Sequence, residues 1–491
     1  MSAAPVSEGP PEAPIDTDIT HAGLASKSMG QIEVFAQSLA GIAPSAVMAT
    51  GPALIVVSAG NGTWLSYGIA MVTVLLIGLC IVQFGNRIAS TGSLYSYVAH
   101  SLGSGSAFTT GWTLAIGYIF IAMTGAAGTA LYGAGFLGAF GINAQNKPAY
   151  LIILIVAIVL ATALAAVGIK LSTRFGLILE IFSLLAILTL LVATLFHHGV
   201  TDHAQIHLTG ASSNGITFGV VLGTLGFVGF ESAAALGAEA RDPHRAIPRA
   251  VLISAIVVGV LYIFSAYVSV KGLGAVALAK SADPMDDLSK AANMGGFRYV
   301  IDLGVMMSFF AVIIASINAA SRIYYTMAHE QMMPKPIGKT HRTHRTPHVA
   351  IMAIFPAVLI VPAIMLITGT TPLNIIAYTG TIGTFGYLTA YLLMAVGMPT
   401  FMRSHRAMRA YHPVIAIAAT LAIIYVVYKN LVPVPPSPYN ILPYIYLGLL
   451  VIGIVWYLAI RWRAPERTKL VGTFEEELSP LHVESLAARD T

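Results

Sequence analysis

Gly223-Thr-Leu-Gly226-Phe-Val-Gly229-Phe-Glu231-Ser232 lies inside an apolar run, yet it is poorly suited to an unbroken helix. Three glycines at a spacing of three weaken the helix, and a carboxylate follows directly. A second such stretch reads Ser38-Leu-Ala-Gly41-Ile-Ala-Pro44-Ser45-Ala-Val-Met-Ala-Thr-Gly51-Pro52. Pro44 removes an amide and clashes with the preceding turn, so backbone groups near Gly41 need other partners. Unpaired backbone at bilayer depth is tolerated only where protein or a water-filled cavity covers it. Half-helix N-termini at such breaks aim amides at an anionic group, and freed carbonyls face a cation. The rival explanation is close helix packing, for which Gly and Pro are common in membrane helices.

Composition makes the membrane reading general. Of 491 residues, 56% are hydrophobic and 10% charged, with a mean hydropathy of +0.79. A soluble globular chain carries about 25% charge. A soluble enzyme, a nucleic-acid binder and a disordered scaffold are thereby excluded. The formal charge of +5 from 26 Lys+Arg against 21 Asp+Glu is too thin for a nucleic-acid patch. The lone Cys80 excludes an intrachain disulfide and a cysteine metal cage.

Residues 1–33 are polar and Pro-rich without an apolar core and basic flank, which predicts a disordered cytoplasmic tail and no signal peptide. Twelve apolar runs follow, near 34–58, 63–86, 106–138, 149–168, 173–196, 215–237, 250–270, 299–327, 348–368, 373–400, 412–430 and 440–460. Each is long enough to cross about 30 Å of hydrocarbon as a helix. Strand-like alternation is absent, which excludes a barrel. The fold class is therefore all-α integral membrane with twelve spans across 34–462, and 463–491 form a polar tail. On one side the loops and tails carry 20 of the 26 Lys and Arg residues. The positive-inside bias predicts both termini in the cytoplasm, in agreement with an even number of spans. The two broken stretches fall in spans one and six, where a five-plus-five inverted repeat would place them.

The segment after the second break is recognisable. Gly229-Phe-Glu231 and Ala238-Glu239-Ala-Arg241-Asp242-Pro243-His-Arg245-Ala-Ile247-Pro248-Arg249-Ala250 resemble the span-six signature of the amino acid–polyamine–organocation (APC) permeases. Ser90-Thr-Gly92-Ser93-Leu-Tyr95-Ser-Tyr97, Ala282-Asp-Pro284-Met-Asp-Asp-Leu288, and Ser321-Arg322-Ile-Tyr324-Tyr-Thr-Met327-Ala328 resemble other stretches of that family. The resemblance implies a LeuT-type fold. Residues 34–196 and 215–400 would be the inverted repeats, and 412–462 the two appended helices. It also implies a plasma (inner) membrane transporter of an amino acid or related amine, working by alternating access as a monomer or homodimer.

By position, the resemblance implies that substrate sits against Ile42, Ala43, Pro44 and Ser45 of span one and Leu225, Gly226, Phe227 and Gly229 of span six. Phe227 looks like an aromatic gate. The chain departs from the family in three places: Ile42-Ala-Pro44-Ser45 replaces a glycine-rich stretch, Leu225 stands where arginine/agmatine exchangers keep Trp, and Ala328-His-Glu-Gln331 replaces Ala-Arg-Asp-Gly. A cation–π clamp on a guanidinium is therefore not expected.

Charged groups in lipid are functional candidates by default. The acids at or inside the apolar spans are Glu33 at the entry to the first, Glu180 in span five, Glu231 in span six and Asp302 at the start of span eight. Some proton-coupled relatives carry a span-five lysine at a position that falls near Ser183, and span five has no lysine here. Glu180 lies three residues earlier on the same helical face. Two readings stand: Glu180 takes and releases a coupling proton, or it is a structural acid bonded to a neighbouring helix in an exchanger or sodium-dependent carrier. Glu231 is expected to gate or to support the break. Arg174 and Arg249 either pair with acids on the cytoplasmic face or, the reading preferred, form exposed loop pairs.

His197, His198, Asp202, His203 and His207 suit zinc or nickel by type, but their spacing matches no defined site, so no metal and no cofactor are expected. No phosphate loop, nucleophile elbow or HExxH appears, which leaves an enzyme without chemistry. The limited acidity of the spans favours a neutral or mildly cationic amino acid over a polyamine. A channel lacks a pore-loop repeat, and a non-transporting amino-acid sensor would share the fold.

Overall fold

The structure, a computed structural model, describes residues 23–281, 283–432, 434, 437–474 and the backbone of 477–478. Most of the two expected tails lies outside the described residues. The first helical path is α1 (Gln31–Ile42) and α2 (Pro44–Ala59), which meet at Ala43 in a left-handed conformation (φ 52°, ψ 59°). Pro44 is the first residue of α2, where a missing N–H leaves nothing unsatisfied. The break is therefore made by the left-handed Ala43, and Pro44 restarts the helix without a clash.

A short loop leads to α3 (Thr63–Gly85), then α4 (Leu94–Leu102), α5 (Ser104–Leu137), α6 (Lys147–Val167) and α7 (Ile169–His198). After the short α8 (His203–Ile206) comes α9 (Ser213–Leu225), which stops where the glycines begin. Turns fill Gly226–Glu231, and a 3-10 helix covers Ser232–Leu236. Next come α10 (Pro243–Leu273), the loop helices α11 (Ala275–Lys280) and α12 (Pro284–Ala291), and α13 (Arg298–His329). The last four helices are α14 (His348–Ile367), α15 (Pro372–Ser404), α16 (Tyr411–Leu431) and α17 (Leu442–Arg463). Two short strands, β1 (Ile88–Ala89) and β2 (Glu477–Leu478), pair antiparallel.

Among the described residues, ten helical segments are long and apolar enough to cross a membrane; the first is the 55-residue path Gln31–Gly85. Helix α9 has 13 residues and is too short alone. Val414, Ile417, Leu421 and Ile424 form an outward apolar stripe on α16 at helical spacing. Water would penalise such a stripe, whereas acyl chains solvate it. The chain is a multi-pass membrane protein.

Helix α5 runs through the centre, packed along both α13 and α15. Its seam with α15 is lined by small residues, and a Cβ at Gly383 would come within 3.1 Å of the Gly117 carbonyl oxygen. Close backbone approach of this kind is the usual basis of helix association in lipid. Around this centre the two interrupted paths, α1–α2 and α9 with its 3-10 extension, lie against each other.

Candidate functional site

The interrupted paths touch at Gly41 and Gly229. Gly229 has φ +96°, and a Cβ there would collide with the Gly41 carbonyl group. Only glycine satisfies both the dihedral and the contact. Carbonyls near the breaks find partners across the contact. The Ser38 hydroxyl donates to the Phe230 carbonyl (2.8 Å), and the Ser232 hydroxyl donates to the Gln37 carbonyl (2.9 Å). Each path thus supplies a serine to the other's backbone.

The N-terminus of α2 presents free amides because Ala43 ends α1 before helical bonding resumes. The Ser45 amide donates to Glu180 Oε1 at 3.0 Å, and the Ser45 hydroxyl donates to the same oxygen at 2.7 Å. The Ala46 amide donates to Ser308 Oγ at 3.3 Å. Glu180 is fully buried, and its Oε2 has no partner among the described residues. A protein carboxyl therefore occupies the helix end at which the sequence reading expects a substrate carboxylate. Ser183 is also buried, but it backs onto Gly304 of α13, and its hydroxyl has no partner among the described residues. Of the two span-five positions, Glu180 is the one that bonds to the break.

On the other path, Glu231 directly follows the turns. Its Oε1 accepts from Tyr118 of α5 at 2.7 Å, and its Oε2 accepts from Tyr391 of α15. The Gly226 carbonyl accepts from the Tyr262 hydroxyl at 2.8 Å. Phe227 is buried and meets the Tyr262 ring edge-on, with centroids 5.0 Å apart. Leu225 is half-buried, and Ile42 is buried in the core. Sequence reasoning missed Tyr118, Tyr262, Tyr391 and Ser308. The available signal was a tyrosine inside an Ala/Gly/Leu span, since a buried phenol needs an acceptor.

At the arginine-rich end a backbone strap joins the segment before α1 to the segment after the second break. The Met29 amide donates to the Glu239 carbonyl, and the Arg241 amide donates to the Met29 carbonyl, each at 2.9 Å. Behind the strap, Arg322 grips Glu239 through two bonds of 2.6 and 2.8 Å, with both side chains fully buried. Arg174 lies in α7 and not on a loop; it is largely exposed and pairs at 2.6 Å with Glu33, an acid in the first turn of α1. Glu330 accepts from the Tyr95 hydroxyl and from the Gly472 amide (2.9 Å), so it ties the chain beyond α17 to the end of α13. Asp302 is buried on α13 facing Gly135 of α5, away from the breaks. In the histidine loop, Asp202 caps α8 through the Ala204 and Gln205 amides. Among the described residues no three metal-ligating side chains converge.

The profile of the amino acid permease family matches residues 29–455. The branched-chain amino acid permease BcaP of Bacillus subtilis is 24% identical over 358 residues, covering 68% of this chain and 74% of its own. The methylthioribose transporter of the same species is 24% identical over 317 residues, covering 62% of this chain and 65% of its own. Human cationic amino acid transporter 4 is 28% identical over 323 residues, covering 60% of this chain and 48% of its own.

Proposed function

The chain belongs to the amino acid permease family, a family of transporters and not of enzymes, and from that premise we propose that it is a secondary active transporter working by alternating access. The cargo is a neutral amino acid. The observation that carries this reading is the occupied N-terminus of α2, where the Ser45 amide and hydroxyl hold a carboxyl oxygen. A helix end built to hold the Glu180 carboxyl is built to hold the carboxylate of an amino acid. Substrate contacts Ile42, Ala43, Pro44 and Ser45 on one path and Leu225, Gly226, Phe227 and Gly229 on the other. Both oxygens of Glu231 are engaged by tyrosines, which supports a cargo without a cationic side chain.

Coupling follows from competition for the same amides. When the substrate carboxylate takes the α2 terminus, Glu180 is displaced beside a second negative charge. Two carboxylates in one low-dielectric site repel, so Glu180 takes a proton as substrate binds. Substrate and proton then cross together. The architecture in this proposal is the LeuT-type five-plus-five repeat, 34–196 and 215–400, with 412–462 appended. Reading Gln31–Gly85 as two spans and α9 with its 3-10 extension as one makes twelve. Both termini then lie in the cytoplasm and the membrane is the plasma membrane, a placement supported by the arginine-rich loops.

The test is uptake of a labelled amino acid panel and putrescine into proteoliposomes under a proton gradient, a sodium gradient, no gradient, or counter-substrate preloading. Accumulation of a neutral amino acid driven only by protons is the expected result. Flux only with preloading replaces symport by exchange, and no flux of any kind points to a sensor. Ser45→Trp should abolish uptake while the protein still inserts; wild-type uptake by that variant removes Ser45 from the site.

A further inference from the structure

A cavity lined by none of the residues at the paired breaks lies at the arginine-rich end of the bundle. Its volume is about 740 Å³, and it opens between the end of α3, the start of α10 and the loop from α15 to α16. Four arginines line it, Arg87, Arg245, Arg406 and Arg409, and among the described residues the one lining carboxylate is Asp242. That acid stands 3.8 Å from Arg245, a loose pair between two exposed side chains. One carboxylate cannot balance Arg87, Arg245 and Arg409 together. Burial and the neighbouring Arg409 hold the Arg87 guanidinium below its usual range, which marks Arg87 as a half-buried cation facing another cation.

A buried histidine in the wall also suits an anion. His412, 1% exposed, lies in the cavity wall and accepts the Arg409 amide through Nδ1 at 2.9 Å. The ring proton is then on Nε2, which has no acceptor among the described residues.

We propose that this cavity binds a phosphate-bearing anion, and that in the membrane its occupant is the headgroup of an anionic phospholipid. Guanidinium groups match phosphate oxygens in pairs, and several converging arginines are what a tetrahedral, multiply accepting anion requires. The rim favours a lipid over a soluble ligand, because exposed Met408 and Tyr411 place apolar and aromatic surface beside the arginines. Basic pockets between spans at the cytoplasmic face are suited to such headgroups. The cavity joins α3 and α10 to the α15–α16 loop, so a bound headgroup would bridge elements of both halves of the chain.

The experiment titrates purified full-length protein in neutral detergent with short-chain phosphatidylglycerol, short-chain phosphatidylcholine and inorganic phosphate, reading binding by microscale thermophoresis. Phosphatidylglycerol should bind and phosphatidylcholine should not. R87Q/R409Q should weaken phosphatidylglycerol roughly tenfold or more, while R467Q, at the same end but outside the cavity, should leave it unchanged. Binding of inorganic phosphate alone, lost in R87Q/R409Q, keeps the site and assigns it to a soluble phosphate. Equal binding of both lipids, or binding indifferent to R87Q/R409Q, overturns the proposal. Should the double variant fail to fold, R409Q alone, altering an exposed side chain, carries the same comparison.

Discussion

At the scale of single residues, the interior acids differ in how fully they are satisfied. Glu231 has a phenol on each oxygen, whereas Glu180 has two donors on one oxygen and none on the other. A group satisfied on both sides is a fixture; one satisfied on a single side can gain or lose a proton without dismantling its surroundings. Glu180→Gln keeps the shape and an acceptor for Ser45 but cannot titrate. Its uptake should lose pH dependence while exchange of preloaded substrate persists, measured in proteoliposomes between pH 5 and 8. An unchanged pH profile would make Glu180 a structural acid. Tyr391→Phe should leave one Glu231 oxygen without its donor and cost about 1–3 kcal/mol, seen as a lower midpoint in detergent melts.

At the scale of elements, both interruptions come from backbone conformation at single positions, Ala43 and Gly229. Gly229→Ala adds a methyl group at φ +96° against the Gly41 carbonyl. A loss of about 1–3 kcal/mol from strain is expected, with uptake reduced beyond what lower protein abundance explains. Ala43→Gly should instead be tolerated or slightly stabilising, because glycine accepts φ 52° more readily. Thermal unfolding of the two variants side by side checks both signs. These positions also mark the limit of what the sequence revealed. The breaks were legible because Gly and Pro stand out in apolar runs, and Glu180 was legible because an acid in lipid is rare. The partner tyrosines, the Ser38 and Ser232 bonds across the contact, and the left-handed Ala43 were not. Each depends on how spans distant in sequence are brought together, and an apolar run carries little information about which neighbour it faces. Helices α4, α11 and α12 were missed for a different reason: they are short, partly polar, and lie outside the apolar runs.

At the scale of the whole molecule, the arginine-rich end is tied together by the strap at Met29 and by Arg322 on Glu239. Arg322→Ala leaves a fully buried carboxylate without its partner, at an expected cost of about 3–5 kcal/mol. Arg322→Lys restores charge but not the two-pronged grip, and should fall between the variant and the wild type. Accessibility of a cysteine placed behind the strap, read by a membrane-impermeant thiol reagent from each side, should rise in the same order. The pair joins the segment after the α9 break to α13, and separating it strips two charges of their one ion-pair partner among the described residues, in a poorly solvating interior. Thermal noise would therefore rarely part it, and the two segments would travel as one piece in any rearrangement of the bundle.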